Sequence, residues 1–165
     1  MNGDPWRVGI QQDVYLDGSG DSSDPRMRRC GWGVAWLSSD GDVHSFCGGM
    51  CGNLGNERHT VAKAELEALV QVLRRRIPGE YMKVWTDCKY VWRGWRNKVW
   101  RGRGPKRHAD RWKEIGEWDE VADGMVDVEW IKAHVTAEDM MNRGLEPRHV
   151  MGNECADAVA KRGLN

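Results

Sequence analysis

Four carboxylates are the residues best equipped for chemistry in this chain: Asp17 in "YLDGSGD", Glu65 in "AKAELEAL", Asp87 in "VWTDCKY" and Asp157 in "NECADAVA". Alone, each has an ordinary explanation. Asp-Gly is a common turn dipeptide, an Asp near a helix start answers the helix dipole, and a Glu on a helix is ordinary surface. Gathered at one point, the four would repel one another, and a fold that gathers them needs a counter-charge. A hard divalent cation bound by oxygen ligands is the obvious one.

The elements that must position these acids can be read from periodicity. Residues 13–17 and 31–38 read as strands, and "SDGD" at 39–42 is a hairpin turn into a third strand, 43–51. From Thr60 the period becomes helical: Ala62, Leu66, Leu69, Val70 and Leu73 fall on one stripe, which Pro78 and Gly79 close. A strand at 81–87, a short helical piece, a helix over about 109–122 and a strand at 125–133 follow. A last helix spans 153–162 and ends at Gly163. This order predicts an α/β fold with a five-stranded mixed sheet, three strands antiparallel and then two parallel, flanked by helices. If the strands that end on Asp17 and Asp87 are parallel neighbours, both carboxylates reach the same edge of the sheet. Glu65 flanks the apolar stripe and can look toward that edge. Asp157 is expected in the first turns of the last helix, beside Ala156, Val159 and Ala160.

Composition narrows the class. A chain of 165 residues suits one domain, and it contains no apolar run long enough to span a membrane. The first residues, "MNGDPWRVGIQQ", have neither the basic start nor the apolar centre of a secretory signal. Five scattered cysteines, at 30, 47, 51, 88 and 155, suit reduced thiols, so an intracellular, reducing compartment is expected. Net charge is zero but unevenly spread: residues 88–109 hold eight Lys or Arg and three Trp with no acid, whereas 114–129 hold seven Asp or Glu and no base. Aromatic rings interleaved with bases suit a platform for a phosphate backbone and its sugars.

Seven segments, "YLDGSGD", "GWGVAW", "TVAKAELEAL", "WTDCKYVWRGW", "HADRW", "WIKAHV" and "GNECADAVAKRG", follow one another as in the type 1 ribonuclease H domain. The chain resembles that family over about residues 12–163, in the style of retroelement versions. The resemblance implies a ribonuclease H-like fold over 12–165, with 1–11 as an N-terminal extension. It implies a metal-dependent endonuclease that hydrolyses the RNA strand of RNA–DNA hybrids with two Mg2+ ions, Mn2+ being a substitute. A monomer, or one domain of a parent protein with a reverse transcriptase, is the expected organisation.

Carried over by motif, the family's metal-binding acids fall on Asp17, Glu65, Asp87 and Asp157, and its mobile histidine on His134 of "KAH". Asp17 would be shared by both ions, and the small residues after it would leave room for a nucleic-acid backbone. Thr60 and His108 match positions that help seat the DNA phosphate, although relatives usually have Asn where His108 stands. Lys63 stands in for a frequent Arg. Trp95 and Trp100, with Arg96, Lys98 and Arg101, are candidates for the DNA-strand groove. The basic segment is shorter than the protruding handle of bacterial relatives, and the stretch from His134 to Asp157 is longer. That stretch carries a short-helix start at Thr136 and Asp139, and a second histidine, His149, expected in an inserted loop.

Two other classes compete. One is the same fold as a catalytically weak nucleic-acid-binding module, against which stand the four acids. The other is a zinc module on His44, Cys47, Cys51 and His59, against which stands the strand-like character of 44–51, where cysteines are commonly small core residues.

Overall fold

The computed structural model describes residues 11–20, 29–40, 43–55, 60–133, 137–143 and 147–164. Along these run β1 (Gln11–Gly20), β2 (Cys30–Asp40), β3 (Val43–Asn53), α1 (Val61–Arg75), β4 (Tyr81–Thr86), α2 (Lys89–Arg96), α3 (Ala109–Ala122), β5 (Val126–Trp130), α4 (Ala137–Arg143) and α5 (Pro147–Arg162). The strands form one sheet in the order β3-β2-β1-β4-β5. Pairs β1–β2 and β2–β3 are antiparallel, and β1–β4 and β4–β5 are parallel, which is the expected mixed sheet.

Alternation along β1 and β2 sorts side chains between two helical layers. Val14, Leu16, Trp32, Val34 and Trp36 face the layer that contains α1, α2 and α3. Tyr15 and Ala35 face α5 and meet Ala156 there. Helix α1 starts where it does because Thr60 is extended and its Oγ1 accepts the Lys63 N–H at 3.1 Å. Its stripe of Leu66, Leu69, Val70 and Leu73 is buried as the periodicity requires. On the other layer, Gly31 and Gly33 let α5 come down onto β2: a Cβ on Gly33 would lie 2.4 Å from the Ala160 nitrogen.

Two expectations are corrected. Strand β1 does not stop at Asp17 but continues to Gly20 against β2. Helix α5 begins at Pro147, not 153, so Asp157 lies deep inside it and His149 belongs to the helix instead of a loop. Proline at a first helical position needs no N–H and already has helical φ, so "PRHVMGN" starts the helix despite poor intrinsic helix formers. The N-terminal extension, residues 1–11, lies almost wholly outside the described residues.

Candidate metal and nucleic-acid site

The parallel pairing of β1 with β4 ends at Leu16 and Thr86. Asp17 and Asp87 are the next residues on each chain, so the two carboxylates stand where the sheet opens. Glu65 reaches the same opening from α1, and one oxygen from each of the three acids lies within 4.8 Å of the others. Asp17 is 7% exposed and Glu65 2%, while Asp87 is half-buried. Asp157 comes from α5 and stands outside this triad, with its carboxylate 2.9 Å from Lys161 Nζ. It still reaches Asp17, whose pKa its hydrogen bond helps to raise.

Neighbouring groups hold the acids in place. The Gly18 N–H donates to Asp17 Oδ1 at 2.9 Å. The Thr86 hydroxyl, fully buried, donates to Glu65 Oε2 at 3.4 Å and accepts the Cys88 N–H at 3.1 Å. Trp130 Nε1–H donates to the Asp87 carbonyl at 3.2 Å. Thr86 and Trp130 went unnoticed in the sequence, although a β-branched hydroxyl residue directly before Asp87 was a usable signal.

Crowding this many carboxylates has an electrostatic consequence. Burial, with a further contribution from the Asp87 charge, pushes the Asp17 carboxyl up to about 7. Burial and the charges of Asp17 and Asp87 raise Glu65 well above the usual carboxylate range. Such a donor set, all hard oxygens and electrostatically strained by its own company, fits a divalent cation such as Mg2+. Among the described residues, no other group of three or more His, Cys, Asp or Glu meets the geometry for a metal. Of the zinc alternative, His44, Cys47 and Cys51 lie on β3, Cys51 is an exposed free thiol, and His59 lies outside the described residues.

The family model for RNase H matches residues 11–165. The chain belongs to the RNase H family. A curated ribonuclease H of Thermosynechococcus vestitus is 28% identical over 161 residues, covering 90% of this chain and 86% of the relative. The solution structure of the prototype foamy virus RNase H domain superposes with a TM-score of 0.69 at 23% identity, covering 93% of each chain. The foamy viral protease-reverse transcriptase in complex with an RNA/DNA hybrid matches with a TM-score of 0.67 at 20% identity. That likeness covers 92% of this chain but 20% of the viral protein, so this chain spans about a fifth of its length. At these identities the solved structures speak for the fold.

Seen as an RNase H, the chain carries its expected substrate residues in mixed circumstances. Thr60 caps α1 and Lys63 lies half-buried in the first turn of that helix. His108 takes a left-handed backbone, φ 56°, just before α3, and its Nδ1 lies 2.9 Å from the Tyr90 hydroxyl. Asn, Asp and His adopt that backbone more readily than other non-glycine residues. Arg96 and Arg101 are exposed, and the Arg96 guanidinium lies 5.3 Å from the Trp92 ring centre.

Trp95 corrects the reading of a stacking platform, while Trp100 and Lys98 are half-buried and tied into the fold. Trp95 is 4% exposed and belongs to the core. The half-buried Trp100 stacks on Trp112 with centroids 6.1 Å apart. Lys98 lies over both rings, at 4.2 Å from Trp95 and 5.3 Å from Trp100, and pairs with Asp119 at 3.3 Å. Glycines make the slots: a Cβ on Gly94 would lie 2.2 Å from the Trp112 ring, and one on Gly116 2.3 Å from Trp100. Trp95 and Trp100 therefore bolt the basic segment onto the core and α3, and its exposed arginines and lysines are the groups most open to a partner.

His134 lies outside the described residues. His149 is in α5, 5% exposed, against Tyr15 and Trp85.

Proposed function

We propose that this chain is a metal-dependent endonuclease that hydrolyses the RNA strand of RNA–DNA hybrids, using Asp17, Glu65, Asp87 and Asp157 to hold two Mg2+ ions. The observation that carries this reading is the convergence of three acids from β1, α1 and the end of β4 to within 4.8 Å at the open edge of the parallel pair. Membership of the RNase H family supports the ribonuclease class, and a neighbouring fold in complex with an RNA/DNA hybrid supports the substrate.

Bound Mg2+ would supply an activated water and charge stabilisation for the leaving oxygen of an in-line displacement at phosphorus. The chain's own residues then have holding and orienting work. Thr86 turns Glu65 toward the opening, the Gly18 N–H fixes one Asp17 oxygen, and Trp130 steadies the backbone at Asp87. Gly18 corrects the expectation of room for a nucleic acid at that position, because a Cβ there would lie 2.9 Å from the Val61 carbonyl oxygen. This glycine lets α1 bring Glu65 to Asp17, and Ser19 and Gly20 are left to keep the approach low for a phosphodiester backbone. Arg96 and Arg101 would meet the phosphates of the DNA strand, and His134 would move a proton or help product leave. We further propose that the domain acts as a monomer, and likeness to a foamy viral protein supports a parent chain with a reverse transcriptase.

The test is a hybrid labelled separately on each strand. With Mg2+ or Mn2+ the RNA strand is cut internally, the DNA strand stays intact, and excess EDTA abolishes cutting. Cleavage of the DNA strand, or cutting that survives EDTA, would overturn the reading. Tight hybrid binding with no cutting at saturating metal would instead favour the binding module.

A further inference from the structure

Helix α5 brings Asp157 to the site, yet the apolar side chains that seat it are small. Its buried stripe is His149, Gly152, Asn153, Ala156, Val159 and Ala160. Burial of such residues is non-directional, and the close approach of α5 at Gly31 and Gly33 sets its distance from β2 without a polar contact that orients its first turns. Something with direction must set where Asp157 stands. The first turn of α5 supplies it. His149 Nδ1 lies 3.0 Å from the Tyr15 hydroxyl, with both residues buried, and the imidazole packs on Trp85 at a centroid distance of 4.2 Å. Beside it, Arg148 forms an ion pair with Asp13 Oδ2, while Asp13 Oδ1 accepts the Trp85 indole N–H at 2.9 Å.

These contacts join the two elements that carry Asp17 and Asp157. Tyr15 precedes Asp17 by two residues on β1 and so shares its face of the sheet. On α5, spacings of three, four, seven and eight from His149 reach Gly152, Asn153, Ala156 and Asp157, which places Asp157 on the same helical stripe. The two residues are about 12 Å apart along the axis. Gly152 lies between them, and a Cβ there would fall 2.3 Å from the Tyr15 ring. The ring thus lies flat on the helix, and the hydroxyl fixes the helix along its length.

We propose that Tyr15 and His149 form a positioning latch that sets the axial and rotational seat of α5, and with it the placement of Asp157 relative to Asp17. The latch acts through Asp157 and has no contact with substrate in this role, and its consequence rests on the metal-dependent reading above. Breaking a buried hydrogen bond of this kind removes a directional contact between the two elements.

Tyr15→Phe keeps the ring and removes only the hydroxyl, so it preserves the packing. The measurement is calorimetric titration of the purified, substrate-free protein with Mn2+, beside its melting temperature and the Mg2+ dependence of hybrid cleavage. Tyr15→Phe is expected to weaken Mn2+ binding by about threefold to tenfold and to raise the half-saturating Mg2+ by a similar factor. The hybrid KM at saturating metal stays unchanged. His149→Ala should do the same, and combining the two should add little. Ile115→Val in α3, chosen to lower the melting temperature comparably, should leave the Mn2+ isotherm as it was. If wild type binds Mn2+ and Tyr15→Phe binds it equally well despite a lower melting temperature, the latch is a stabilising contact only and the proposal falls. If wild type itself binds no Mn2+, the metal reading fails first, and the latch loses its stated consequence with it.

Discussion

At the scale of the residue, a carboxylate here is defined by its company. Asp87 is the least buried of the three clustered acids, so Asp87→Asn should leave the fold intact while removing one ligand charge. We expect RNA-strand cleavage to fall by about a hundredfold or more with hybrid binding still measurable; near-normal turnover in saturating Mg2+ would remove Asp87 from the site. The same crowding sets a pH dependence. Asp17 titrates at about 7 in the folded chain against 3.8 for a free carboxyl, and Glu65 is raised as well. A raised folded pKa contributes stability that is complete below the unfolded value and lost as pH rises through the folded one. In EDTA the melting temperature should therefore rise as pH is lowered from about 8 to about 5, and Mg2+ should flatten that rise by favouring the charged forms. Scanning calorimetry at several pH values decides it, and a melting temperature that falls over the same window would contradict the assignment.

At the scale of the element, α5 approaches β2 backbone to backbone at Gly33. Gly33→Ala would drive a methyl into the backbone nitrogen of Ala160, and the helix must move to admit it. Overpacking of this kind costs about 1–3 kcal/mol, measurable by denaturant unfolding. Because α5 carries Asp157, the half-saturating Mg2+ should rise along with it. Much of this level was legible in the sequence. The alternating strands, the apolar stripe of α1 and the span of α3 follow from local periodicity, and the acids could be placed because strand ends and helix stripes are local properties too. The start of α5 was not legible, since Gly152 and His149 weaken a helical pattern and become helical through their fit to Tyr15. Nor was the role of Trp95 and Trp100, because bases interleaved with aromatics look alike whether the rings meet a nucleic acid or their own core. Only Gly94 and Gly116, the slots for Trp112 and Trp100, separate the two cases, and they do so in three dimensions.

At the scale of the whole molecule, a neutral chain presents a basic edge. Lys98 braces that edge internally, whereas Arg96 and Arg101 are exposed. Replacing both arginines by Ala should flatten the log–log salt dependence of hybrid binding by up to roughly two units, at about 0.9 per phosphate contact. Lys98→Ala should lower thermal stability and leave that slope nearly unchanged. Fluorescence anisotropy across a range of KCl concentrations separates the two effects, and a unit change of slope from Lys98→Ala would mean that this lysine serves the nucleic acid. The path of the chain through the fold has one more consequence. The first three strands are made early, but the helix that covers one face of β1 and β2 and brings Asp157 to Asp17 is made after every other element described. During synthesis, then, Asp157 cannot join Asp17 until that helix has emerged and docked, so the fourth acid is the last to arrive.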